Sequence, residues 1–137
     1  MPEIEYVQDM MESEELLEKL CPPVRNWFKD KFPDFTHPQK VAIPKIMDGE
    51  HLLLCSPTGS GKTLTAFLTV INDLVSRSLD GSLENSVQCM YISPIKALAN
   101  DIQKNLIGPL TEIKESYLPS RAKDITVGLR TGDTPQK

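Results

Sequence analysis

The chain has 137 residues, of which 39% are apolar and 25% charged. This size and composition are typical of a soluble globular protein with at most one domain, large enough to bury a core. The sequence has no apolar run of membrane-spanning length and no signal-peptide pattern at its start. It therefore excludes a membrane-embedded class, and we expect a cytoplasmic protein.

The formal net charge is −4, but the charge is unevenly distributed along the chain. Residues 1–20 carry seven acids and one base and sum to −6, whereas the other 117 residues sum to +2. A body with a charge of +2 does not form a strongly basic nucleic-acid surface by itself. A nucleic-acid function would have to rest on local geometry.

The three cysteines, Cys21, Cys55 and Cys89, are odd in number and far apart, without metal-ligand spacing. We expect them to be small reduced residues, with Cys55 and Cys89 inside buried strands.

The first 50 residues predict an acidic tail followed by three short helices. Residues 1–11 form the tail, and Ser13 is expected to cap a helix that ends before Cys21-Pro22-Pro23. A second helix is predicted over 24–32. A third is predicted over 39–47, with Pro38 in its first turn, where the missing N–H costs nothing.

From His51 onward, short apolar runs alternate with helical patterns. Strands are predicted over 52–55, 87–92 and 125–129, with helices from 62 to about 78 and from about 95 onward. Gly108-Pro109 is expected to break or kink the second of these helices before residues 110–117 resume it. Strands separated by helices favour a parallel sheet covered on both faces, an α/β class, with phosphates bound at the carboxyl ends of the strands.

The most specific motif is Ser56-Pro57-Thr58-Gly59-Ser60-Gly61-Lys62-Thr63. A strand, a glycine-rich loop and a helix in this order make a phosphate cradle from loop amides and the helix N-terminus. Lys62 would bind the β- and γ-phosphates, and the Thr63 hydroxyl could ligate Mg²⁺. Ser56 stands where the usual pattern has glycine, and a small residue there still permits a tight turn.

Gln39 follows Phe35 and precedes this loop by about 20 residues. If its helix packs beside the loop, one carboxamide can donate to and accept from the same edge of a purine, as adenine requires. The alternative is a surface glutamine beside a core phenylalanine.

Two further segments follow predicted strands. Ser93 to Asp101 includes Pro94 and Lys96, and Arg130-Thr131-Gly132-Asp133-Thr134 follows the last strand. Free amides, a lysine and hydroxyl donors at successive strand ends suggest a track for a sugar–phosphate backbone, read independently of sequence. The alternative for each is an ordinary strand-to-helix turn.

Taken in order, these four motifs resemble superfamily 2 helicases, and most closely the large helicase-related (Lhr-type) branch of D-E-x-H ATPases. The resemblance covers residues 24–137. It implies that residues 21–137 are the front part of a first RecA-like domain of the P-loop NTPase type, preceded by an acidic tail and short helix over 1–20. It also implies movement on DNA in the 3′ to 5′ direction.

The resemblance also assigns roles to individual residues. Gln39 would recognise adenine, and Gly59, Gly61, Lys62 and Thr63 would bind ATP–Mg²⁺. The residues near the translocated strand would be Pro94, Lys96, Arg130, Thr131 and Gly132.

The sequence departs from the family in having no Asp-Glu-x-His and no second RecA-like domain. The acid that orders Mg²⁺, the glutamate that positions water and the arginines that reach the γ-phosphate are therefore missing. We expect the ATP-binding portion of a helicase, with weak nucleotide binding and no turnover by this chain alone. One alternative is a non-catalytic nucleotide or nucleic-acid binding module derived from a truncated helicase. The other is an unrelated small P-loop kinase, disfavoured because only four arginines are present.

Overall fold

The computed structural model describes residues 3–57, 61–93, 99–130, 132 and 134–136. Within these residues the regular structure is helical. The helices are α1 (Ser13–Lys19), α2 (Pro22–Lys31), α3 (His37–Met47), α4 (Lys62–Asp80), α5 (Ala99–Ile102) and α6 (Gly108–Ser116), with a π-helical turn, Gln103–Ile107, joining α5 to α6. No helix in the described part of the chain has the length and apolar character needed to cross a membrane.

The first helices lie close to their predicted positions, with two corrections at their starts. Ser13 does not cap α1: the residue before the helix is Glu12, which makes no side-chain cap bond, and Ser13 is the first helical residue. Helix α2 begins at Pro22 because two prolines occupy its first turn, where a missing N–H breaks no hydrogen bond.

The core lies where α1, α2, α4 and α6 meet. The apolar stripe of α4 is buried along its length, with Leu68, Ile71 and Val75 fully covered. Leu16 of α1 and Ile113 of α6 belong to the same cluster. This packing fixes α4, and with it the loop that precedes α4.

The chain is not broken at Gly108-Pro109, where a break or kink is predicted; instead a π-helical turn interrupts the regular α-helix just before it. The Gly108 N–H donates to the carbonyl of Gln103, five residues earlier, as in a π-helix. A proline ring in a regular α-helix would clash with the carbonyl four residues before it. Because the π-helical turn widens the backbone, Pro109 fits at the start of α6 and the chain stays helical.

The three segments predicted as strands have no regular secondary structure, and the described residues contain no β-strand. Most of their apolar side chains are open to solvent, with Leu53 87% and Ile92 82% exposed, whereas Ile125 is buried in the core cluster. The prediction that Cys55 and Cys89 are buried is wrong, since both are exposed. An extended segment becomes a buried strand only when a neighbour satisfies its backbone groups. The sheet therefore stays a prediction.

Candidate nucleotide-binding site

The phosphate loop leads directly into α4. Gly61 is the residue before this helix and has a φ of +83°, a left-handed conformation that favours glycine. Gly61 has no side chain with which to cap the first turn of α4. The predicted residues Thr58, Gly59 and Ser60 lie outside the described part of the chain. What is described is a helix N-terminus preceded by a glycine in the left-handed conformation, and a helix N-terminus attracts anions.

Lys62 reaches back across the loop. Its Nζ donates to the backbone carbonyl of Ser56 at 2.5 Å, so the ammonium lies beside the first residue of the motif, before Pro57. Lys62 also borders an open cavity of about 400 Å³ between Leu52, Leu54 and the first turns of α4. Thr63 is half-buried next to it. A lysine ammonium can exchange a carbonyl for a stronger, charged acceptor such as a phosphate oxygen.

Gln39 is held in one orientation by a capping box at the start of α3. Its Oε1 accepts from the Thr36 N–H at 2.8 Å, and the Thr36 hydroxyl accepts from the Gln39 N–H at 3.4 Å. The side chain is only 3% exposed. A carbonyl oxygen has two lone pairs, so Oε1 retains capacity for a second donor.

Gln39 and the phosphate loop are in direct contact. A Cβ placed on Gly61 would lie 3.0 Å from Gln39 Nε2 and 3.6 Å from Thr36 Oγ1. A side chain at position 61 would fit only if Gln39 shifted by a few tenths of an ångström. The structure therefore brings together three of the predicted site residues, Gln39, Gly61 and Lys62, at the junction of α3 and α4.

Phe35 lies close by but in the core. It is 5% exposed and stacks on Phe28, with ring centroids 4.2 Å apart and planes 15° from parallel. The ring therefore anchors the turn before α3 and has no face open to a base. Sequence reasoning missed the role of Thr36, although Thr-x-x-Gln is the capping-box pattern and could have revealed it.

The predicted nucleic-acid residues are only partly described. Pro94, Lys96 and Thr131 lie outside the described residues. Gly132 and Arg130 are exposed, and Arg130 lines an open cavity of about 470 Å³ with Leu129, Thr134, Pro135 and Gln136. The described part shows an accessible guanidinium beside this cavity.

Comparison with known proteins shows which family has these features. Residues 36–132 match the model of the DEAD/DEAH box helicase. The ATP-dependent helicase Lhr-Core of Methanocaldococcus jannaschii is 45% identical over 136 residues, 98% of this chain and 16% of that protein. The Lhr-Core helicase of Methanothermobacter thermautotrophicus is 48% identical over 132 residues, which cover 96% of this chain and 15% of that protein.

The Lhr helicase/uracil glycosylase of Escherichia coli is 38% identical over 120 residues, 83% of this chain and 8% of that protein. The chain thus spans about a sixth or less of these Lhr-type relatives. The family model covers most of the chain and includes Gln39, Lys62 and Arg130. The chain belongs to the DEAD/DEAH box helicase family, whose domain has a RecA-like P-loop fold.

Proposed function

We propose that this chain is the ATP-binding portion of an ATP-dependent helicase that acts on DNA. The observation that carries the proposal is the contact between Gln39 and Gly61, with Lys62 directly following. This contact supports the proposal because the Gln39 carboxamide, which would read a purine, lies next to the start of α4 and Lys62, which would bind the phosphates.

These residues fit ATP–Mg²⁺ by the chemistry of their donors. The amides at the start of α4 and the Lys62 ammonium would hold the phosphates, and the Thr63 hydroxyl would ligate Mg²⁺. The tight turn at Gly61 keeps the backbone close enough for its amides to be used. ATP supplies the phosphoanhydride bond whose hydrolysis drives movement along a strand.

The remaining fold and substrate assignments belong to the same proposal. Segments 52–55, 87–92 and 125–129 would be strands of a parallel sheet, with the nucleic-acid track at their carboxyl ends. Residues near the strand would be Pro94, Lys96, Arg130, Thr131 and Gly132. They would contact the sugar–phosphate backbone of single-stranded or partly duplex DNA independently of base sequence.

We expect no ATP turnover by the chain alone, because its sequence contains no Asp-Glu-x-His to order Mg²⁺ and position water. Phosphate release by the purified chain, with and without single-stranded DNA, should equal that of Lys62→Ala. A DNA-stimulated rate that Lys62→Ala abolishes would contradict the expectation.

Adenine recognition by Gln39 is tested by comparing nucleotides. We expect ATP–Mg²⁺ to raise the Tm of the chain more than GTP–Mg²⁺ does, and Gln39→Ala to remove the difference. A suitable control is Gln88→Ala, whose side chain bonds only locally to Glu84 and Ser86. Equal stabilisation of the unsubstituted chain by both nucleotides would overturn the assignment.

A further inference from the structure

A proline inside α3 frees a backbone carbonyl next to Gln39. In an α-helix the N–H of each residue bonds to the carbonyl four residues earlier. Pro44 has no N–H, so the carbonyl of Lys40 lacks its donor within the helix. The Met11 N–H, from the segment before α1, donates to that carbonyl at 3.1 Å. The N-terminal segment therefore docks where α3 leaves an acceptor open.

A second contact fixes the same segment to the turn before α3. The Ser13 hydroxyl donates to Asp34 Oδ1 at 2.5 Å, and the Phe35 N–H donates to the same oxygen at 2.7 Å. Lys40 Nζ lies 3.5 Å from Asp34 Oδ2. These contacts, the Ser13 hydroxyl foremost, hold the pKa of the Asp34 carboxyl below its ordinary value. Asp34 thus links Ser13 of the N-terminal segment to Phe35 and to Lys40, near the two ends of the stretch 34–40.

Side chains reinforce this docking. Met11 is half-buried against the core cluster, and Met10 Sδ lies 3.3 Å from His37 Nδ1. Earlier residues such as Ile4 and Tyr6 are exposed. These contacts are made by residues 10–13, which we call the latch segment.

We propose that the latch segment is a positioning element for adenine selectivity, with Ser13 and Asp34 as its positioning residues. The inference rests on the proposed role of Gln39. The stretch 34–40 carries Thr36, whose N–H holds the Gln39 carboxamide, and Lys40 follows Gln39 directly. Losing the latch frees this stretch at both ends, so the carboxamide loses its fixed place beside Gly61. Phosphate binding by the loop and Lys62 does not depend on these contacts.

Two truncations and one substitution test the proposal in titrations of the chain with ATP–Mg²⁺ and with GTP–Mg²⁺. Removing residues 1–9 leaves Met10 as the start and keeps the latch, so it is the matched control. Removing residues 1–12 deletes the bond from Met11 to Lys40, and Ser13→Ala deletes the bond to Asp34, so each variant breaks one of the two contacts of the latch. We expect both to weaken ATP binding roughly threefold to tenfold, the effect of one or two hydrogen bonds, with GTP binding unchanged.

The outcomes separate this inference from the proposed function. If Gln39→Ala lowers the ATP-to-GTP affinity ratio but Ser13→Ala and removal of 1–12 do not, the latch proposal is overturned and adenine recognition stands. Equal losses for ATP and GTP would show a merely structural role and also overturn it. If Gln39→Ala leaves the ratio unchanged, the adenine assignment itself fails. Ser13→Thr, which keeps the hydroxyl, should restore the ratio.

Discussion

Gly61 meets two constraints at once: a left-handed backbone and a neighbouring side chain. Gly49 provides a matched comparison, because its φ is +79° but nothing lies within 4 Å of where its Cβ would be. Comparing the same substitution at the two positions therefore isolates the effect of the contact between Gly61 and Gln39.

Gly61→Ala should destabilise the chain more than Gly49→Ala does. Each substitution costs about 1–2 kcal/mol for the left-handed conformation, and Gly61→Ala adds roughly 1–2 kcal/mol of crowding against Gln39. Urea unfolding of both variants measures the difference in the free energy of unfolding. Equal losses would mean that Gln39 moves away freely and that the contact constrains neither side chain.

The residues of the site were predictable to different degrees. Gln39, Gly61 and Lys62 could be singled out because their motifs are local and their spacing is informative. The pairing of Ser13 with Asp34 joins residues 21 positions apart and has no local signature. Ser13 was predicted to cap a helix because serine is a favoured cap residue. In the structure its hydroxyl bonds to Asp34 instead, and this tertiary contact outweighs the preference for capping.

At the scale of elements, α2 and α6 are joined by polar contacts around Glu112. Its Oε2 accepts from Trp27 Nε1 at 2.7 Å, and its Oε1 pairs with Lys31 Nζ at 2.8 Å. The Lys31 ammonium, followed by the Trp27 N–H, holds the pKa of the Glu112 carboxyl below its ordinary value. A lowered pKa in the folded state gives stability that is present above the unfolded pKa and is lost as the pH falls.

Glu112→Gln should therefore lower the Tm at pH 7 by roughly 2–5 °C, the effect of weakening about one hydrogen bond to a charged group. The difference should shrink below about pH 4.3, the ordinary value for glutamate, and vanish once Glu112 is protonated. Thermal unfolding from pH 3 to 7 measures it. Asp73→Asn, which breaks only an exposed pair with Arg77 within α4, is the control. If the difference in Tm between the chain and Glu112→Gln did not change with pH, the stabilisation would not come from the charge of Glu112.

Helices were predictable because their signals are local in sequence. Local signals could not show whether the predicted strands form. The stripe of α4 and the prolines of α2 and α3 place these helices within a few residues. The π-helical turn before Pro109 has no such signal, because it depends on how the backbone relieves one clash. Strand formation depends on partners elsewhere in sequence, and apolar runs such as 52–55 cannot show whether partners are present.

For the whole molecule, the helices and the approach of Gln39 to Gly61 are formed, while segments 52–55, 87–92 and 125–129 form no β-strand in the described residues. The chain spans about 16% of the Lhr-Core helicase of Methanocaldococcus jannaschii. Helicase activity is therefore proposed for a longer protein that contains these elements. What the chain itself should do is bind ATP–Mg²⁺ through the loop and α4. That binding is the central claim.

The most direct test is calorimetric titration of the chain and its Lys62→Ala variant with ATP–Mg²⁺, after circular dichroism has shown equal helix content. The account predicts saturable one-site binding by the chain and roughly tenfold to hundredfold weaker binding by the variant, because a charge-assisted hydrogen bond to phosphate is lost. Equal affinities, or no binding by the unsubstituted chain, would contradict it.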